Sequence, residues 1–166
     1  MSSNKTWDKR FIELATLVAG WSKDHTTHVG CVIVGRGREV RSLGYNGFPR
    51  GVDDEVPSRH ERPMKYMWTE HAERNAIYNA TMMGVSLEGC TIYIKGFPCC
   101  DCARAIIQCG IKVFVGTTPN FDNPTYGEAY RQTIAMFQEA GVAFRTLPRE
   151  DYPEAAPDPA QGHSQK

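Results

Sequence analysis

The sequence predicts a three-layer α/β/α domain built on a mixed sheet of about five strands, and three observations carry that expectation. From about residue 70 onward, β-rich segments alternate with amphipathic helical ones, the pattern of strand–helix–strand crossovers. Before that point, one segment with helical periodicity precedes two β-rich stretches that flank a glycine-containing turn. The chain has 166 residues, 41% of them apolar, which is enough for one substantial core.

The elements follow in order. In "DKRFIELATLVAGWS", Phe11, Leu14, Ala15, Leu17, Val18 and Trp21 recur at helical spacing and predict a first helix over 7–22. "HVGCVIVG" and "EVRSLGYNG" around "GRGR" predict a hairpin. Residues 48–63, "FPRGVDDEVPSRHERP", carry three prolines and little apolar periodicity, so they read as a long loop of functional length. A second helix is predicted over 70–83, a strand over 90–95, and a third helix from near Cys99 to near Gly110. "KVFVG" is the next strand, and the polar loop "TTPNFDNPTYG" leads to a fourth helix over 127–140 and a last strand in "VAFRTL". The units 90–116 and 112–146 predict right-handed parallel crossovers. The folded domain is predicted to cover 1–147, and the polar, proline-rich tail 148–166 is predicted to be disordered.

Nineteen basic residues balance nineteen acidic ones, which argues against a phosphate-tracking surface, so nucleic acid is not an expected partner. No run approaches the roughly 18 apolar residues of a membrane span, and the first 21 residues are too polar for a signal peptide, so no membrane partner is expected. Five of the six cysteines fall between Cys90 and Cys109, unlike a dispersed disulfide framework, which predicts a cytoplasmic location.

Two helix starts carry the chemistry. In "TEHAERNAIYNA", His71 and Glu73 lie about 200° apart around a helix, so they converge only on something beyond its N-terminal end. In "FPCCDCARAIIQCG", Cys99 and Cys102 share a helix face at an N-terminus, where free N–H groups and the macrodipole favour thiolate. Alone, the cysteines read as a redox pair or as two buried small residues, and a lone histidine is more often structural. Together, His71, Cys99 and Cys102 make three zinc donors with a fourth position open, as in catalytic sites. Two thiolates neutralise Zn²⁺ and weaken its effect on bound water, so a nearby base is needed, and Glu73 is the candidate.

His71-Ala72-Glu73 and Pro98-Cys99-Cys100-Asp101-Cys102 reproduce the H-x-E … P-C-x-x-C pattern of zinc-dependent nucleobase deaminases. With "THVGCVIVG", "GYNGFPRGVDD", "KYMWTEHAERNAI", "GCTIYIKGFPCCDCARAIIQCGIK" and "AGVAFR", the chain resembles the deoxycytidylate (dCMP) deaminase family over most of residues 24–146. The resemblance implies the cytidine deaminase-like fold, Zn²⁺, and hydrolytic deamination of a free pyrimidine nucleotide, dCMP to dUMP plus ammonia. It further implies a homo-oligomer and, in several members, a nucleotide effector. By position, Asn46 would hydrogen-bond the deoxyribose and the Ala72 backbone would meet the pyrimidine edge. Where the family usually carries an S-D-K-Y-like segment with a stacking tyrosine, this chain has "TTPNFDNPTYG", which leaves Phe121 or Tyr126 for that role.

The alternatives are deamination of another small aminated heterocycle, a tRNA or single-stranded nucleic-acid deaminase, which the neutral charge counts against, and a structural zinc protein, which leaves Glu73 unexplained. Cys100, about 100° from Cys99, reads as a packing residue. His25, His28 and Cys31 suggest a second zinc, but His28 and Cys31 enter a strand on opposite faces. Arg50, Arg59, Arg62 and Lys65 form either a solvated loop or a phosphate or effector site, and Tyr66 and Trp68 are core or pocket wall.

Overall fold

In the computed structural model, which describes residues 2–148, a single five-stranded sheet runs in the order β2-β1-β3-β4-β5. Its strands are β1 (Gly30–Val34), β2 (Val40–Tyr45), β3 (Thr91–Ile94), β4 (Val113–Thr117) and β5 (Ala143–Leu147). The helices are α1 (Ser2–Ala19), α2 (Lys65–Trp68), α3 (Ala72–Met82), α4 (Cys100–Gln108) and α5 (Gly127–Glu139). β1 pairs antiparallel with both β2 and β3, whereas β3, β4 and β5 run parallel. The mixed sheet and the two parallel crossovers through α4 and α5 are those the alternation predicts.

Side-chain alternation splits the core into two layers. Val32, Val34, Tyr93, Val115 and Leu147 point to one face and pack on Phe11, Ile12 and Ala15 of α1. Cys31, Ile33, Ile92, Ile94 and Phe114 point to the other, against Ala72, Ala76 and Ile77 of α3, Ala103 and Ile106 of α4, and Phe137 of α5. Strand β1 is covered on both sides and all five of its residues are buried, which is why "GCVIV" reads as a continuous apolar run. Two glycines permit the close approach of the helices. A Cβ on Gly30 would stand 2.0 Å from the Ala15 carbonyl oxygen of α1, and one on Gly44 would stand 2.3 Å from the Ala76 nitrogen of α3. Edge strand β2 is then bound to α3 through side chains: Asn75 Nδ2 donates to the Tyr45 carbonyl (2.8 Å), Asn79 Nδ2 to the Leu43 carbonyl (2.6 Å), and Ser42 Oγ to the Ala76 carbonyl (2.6 Å).

Two boundaries differ from the sequence expectation. α1 begins at Ser2 rather than near Trp7, because its first turn is polar and adds nothing to the apolar period. It closes at Ala19, and Gly20 follows. The loop over 48–63 contains a 3-10 turn at Pro57–Arg59 and leads through Met64 directly into α2. Apart from Pro148, the predicted tail lies outside the described residues, as does Met1.

The other sheet edge is held by charge. Asp8, buried on α1, accepts both Nε (2.8 Å) and Nη2 (2.8 Å) of Arg145 on β5, and Tyr93 donates its hydroxyl to the same carboxylate at 3.0 Å. Removing one partner of a fully buried pair costs about 3–5 kcal/mol, but the Arg145 side chain is 40% exposed and can rehydrate. Asp8→Ala is therefore expected to destabilise the protein by about 2 kcal/mol, read as a lower urea midpoint with an unchanged slope.

Candidate active site

His71 and Cys99 are the residues immediately before α3 and α4, and both have extended backbone (φ −78°, ψ 151° and φ −72°, ψ 170°). Each carbonyl starts its helix, accepting from Asn75 N and Ala103 N at 2.9 Å, yet neither side chain caps its own helix. A helix start normally uses its side chain to satisfy orphan N–H groups. Here the imidazole and the thiol are released for another purpose, and both helix N-termini leave their positive ends at one point.

At that point His71 Nδ1 lies 3.5 Å from Cys99 Sγ and 3.5 Å from Cys102 Sγ. The three ligand atoms fall within 4.8 Å of one another and form the one such cluster among the described residues. Two thiols and an imidazole are the donor chemistry of zinc, and the set fits that ion with a coordination position to spare. α5 supports the turn carrying the cysteines, since Thr133 Oγ1 donates to the Pro98 carbonyl (3.2 Å) and Cys100 Sγ to the Ala129 carbonyl (3.4 Å). Cys100 is thus the packing residue its spacing predicts.

The hydrogen bond from the Cys102 thiol brings Cys99 down to about 4 against the effect of burial, with His71 helping, and leaves Cys102 well above the ordinary thiol range. The hydrogen bond with Cys99 raises His71. Burial raises Glu73, which is 4% exposed, with His71 partly opposing the shift. Glu73 is outside the three-donor cluster but lines the same cavity.

That cavity, about 260 Å³, has His71, Ala72, Glu73 and Cys99 in its wall, together with Asn46, Phe97, Tyr126 and Tyr130. Of the residues singled out in the sequence, Asn46, Ala72 and Tyr126 are brought to it and Phe121 is not. Phe121 lies in a separate surface depression, with the Arg131 guanidinium 5.6 Å from its ring centre. Asn46 is buried with its amide largely engaged, Oδ1 accepting from Val29 N (2.8 Å) and Nδ2 donating to the Thr27 carbonyl (2.8 Å). The histidines of the suspected second metal site have other contacts: His28 Nε2 is 2.7 Å from the Asp24 carbonyl oxygen, and His25 stacks on His60 at 4.5 Å.

The sequence reading missed Asp24, buried in the same wall. Lys65 Nζ reaches its two carboxylate oxygens at 2.9 and 2.7 Å and donates to Thr26 Oγ1 at 2.9 Å. Nothing local in the sequence links residues 41 positions apart. Tyr130 was also missed, although it stands one helical turn beyond Tyr126 and stacks with it at 6.1 Å, so the i, i+4 spacing contained the signal.

The fold and donor set define an α/β domain with a three-donor zinc-binding centre. Residues 5–118 match the cytidine and deoxycytidylate deaminase zinc-binding region, and the chain belongs to that family. Among curated relatives, the "Uncharacterized deaminase in luxG 3'region" of Aliivibrio fischeri is 45% identical over 143 residues, covering 86% of this chain and 94% of its own. The deoxycytidylate deaminase of Homo sapiens is 37% identical over 146 residues, covering 84% and 78%. In fold, the chain is similar to the apo crystal structure of dCMP deaminase from the cyanophage S-TIM5, with a TM-score of 0.67 at 22% identity, covering 84% and 96%.

Two outcomes follow from this geometry. Cys102→Ala leaves two donors and is expected to reduce zinc well below one ion per chain, as measured by elemental analysis, with a lower melting temperature because zinc binding couples to folding. The second concerns pH. Burial alone would raise the Asp24 carboxyl, but Lys65 and the Thr26 and Thr27 amides bring it below its ordinary value of 3.8. A depressed carboxyl contributes stability that is present above the unfolded value and lost as pH falls through the folded one. The stability gap between wild type and Lys65→Met is therefore expected to be widest near neutrality and to close below about pH 4 in urea titrations.

Proposed function

We propose that the protein is a zinc-dependent aminohydrolase that converts dCMP and water to dUMP and ammonia. The observation that carries this reading is Glu73. It is a buried carboxylate, raised by burial, that stands outside the donor cluster but shares a cavity with it. A structural zinc site has no use for such a group. The human relative's name supplies the substrate, and the Asn46 and Tyr126 positions in the cavity are compatible with it.

His71, Cys99 and Cys102 would hold the zinc, which when bound supplies Lewis-acid activation of water. Glu73 would accept a proton from the attacking water as the water oxygen adds to C4 of the ring, and would pass that proton to N3. It then moves the second water proton to the amine, so that the C4–N bond breaks as C4=O forms and ammonia leaves. A carboxyl raised by burial suits this alternation, because it takes up and releases protons closer to neutrality than a solvated one. Asn46 spends one Nδ2 hydrogen on Thr27 and keeps the other for the deoxyribose. Ala72 N–H, in the first turn of α3, is one of the groups with no partner inside the helix, and in this reading it meets the pyrimidine edge. Tyr126, backed by Tyr130, stacks on the ring.

The same reading includes a homo-oligomer, a nucleotide effector and a cytoplasmic location. Exposed Tyr78 and Met82 on α3 and six unpaired cysteines support parts of it, and no helix of the described residues is long and apolar enough to cross a membrane.

Glu73→Gln keeps the side-chain volume and removes the proton acceptor. It is expected to retain zinc and fold while turnover falls about 10²–10⁴-fold. Near-normal dUMP formation by the zinc-loaded variant would remove Glu73 from the reaction.

A further inference from the structure

The loop before α2 supplies a cluster of cations whose purpose the sequence leaves open, and the structure separates them by what each already touches. Arg50 is committed to α3, donating to Asn79 Oδ1 and Met82 Sδ. Arg59 donates to the Asp53 carbonyl at 2.7 Å and lies 4.0 Å over the Trp68 ring. Lys65 is buried, and Asp24 and Thr26 take the three hydrogens of its ammonium. Lys95, in the cavity wall, has an interaction of its own.

Arg62 is different. It lines the cavity, and among the described residues its guanidinium has no hydrogen-bond or ion-pair partner, only the Tyr66 ring with its centre 6.0 Å away. Tyr126 is within electrostatic reach of both Arg62 and Cys99, so this cation belongs to the same cavity as the donor cluster. The short segment that carries it is held firmly, because Lys65, three residues on, is pinned to Asp24. A planar, permanently charged fork with unused donors on an anchored support suits a phosphate group, which it can meet with two parallel hydrogen bonds.

We infer that Arg62 is the residue that selects for the 5′-phosphate, and that Lys65, although it is the buried cation of the same wall, is a positioning residue with no donor left for substrate. This rests on the deaminase reading for the identity of the nucleotide. Two basic residues three positions apart thus take different roles.

The test compares zinc-loaded wild type, Arg62→Gln and Lys65→Met, with melting temperatures recorded for all three. For Arg62→Gln, the ratio of kcat/KM for dCMP over deoxycytidine is expected to fall about tenfold to a hundredfold with little change in melting temperature. For Lys65→Met, both substrates are expected to lose efficiency by the same factor while the melting temperature drops. An unchanged ratio in Arg62→Gln, or a ratio that collapses in Lys65→Met, overturns the assignment. If wild type turns over neither compound, the deaminase reading on dCMP is what falls, and Arg62 is then judged by calorimetry with inorganic phosphate. Binding by wild type that is lost in Arg62→Gln sustains the inference, whereas equal binding by both, or by neither, overturns it.

Discussion

The site depends on one constraint, that two helices begin side by side at the same end of the sheet. Gly44 lets α3 lie against β2 with its Ala72 carbonyl and Ala76 amide almost on the strand, where any side chain would push the helix outward. α4 starts one short turn after the carboxyl end of β3, in the part of an open α/β sheet where ligands commonly bind. With both helices so placed, His71 meets two sulfurs at 3.5 Å and Glu73 is drawn inward beside them. A displacement of α3 by the width of a methyl group would break these relations together. The ties from Asn75, Asn79 and Ser42 hold the helix down without using any group the chemistry needs.

The opposite wall is organised by charge rather than by backbone approach. The Asp24–Lys65 pair joins the segment before β1 to α2, and Asn46 joins the end of β2 to Thr27 and Val29. Both are buried, and a buried ion pair is weak evidence for net stability but strong evidence for a fixed arrangement once formed. The result is a wall whose polar groups are mostly satisfied by one another, while Arg62 and one hydrogen of the Asn46 amide keep spare donors.

The zinc donors and Glu73 were legible in the sequence because their information is local. Each pair lies within one helical turn, and a histidine and a cysteine at helix starts need no tertiary contact to be noticed. The sheet was legible for a similar reason, since period-2 and period-3.6 segments alternate cleanly after residue 70. Long-range pairings were not: Asp24 with Lys65, and Asp8 with Arg145, are joined only by the fold, and each residue looks like surface charge in isolation. The choice between Phe121 and Tyr126 stayed open because both lie in a loop without periodicity. Where α5 begins separates the two in space, with Tyr126 in the cavity wall and Phe121 beside Arg131.

Glu73 has a use only if the neighbouring cluster holds a metal that does chemistry, so the dependence of turnover on zinc is the most direct test. Zinc is stripped from the wild-type protein with a chelator, then returned in steps while dUMP and ammonia formed from dCMP are measured together. The account predicts that activity disappears in the stripped protein and returns in proportion to added zinc, saturating at one ion per chain, with one ammonia released for each dUMP. Full turnover of dCMP by the stripped protein, or one bound zinc per chain with no product formed, would contradict it.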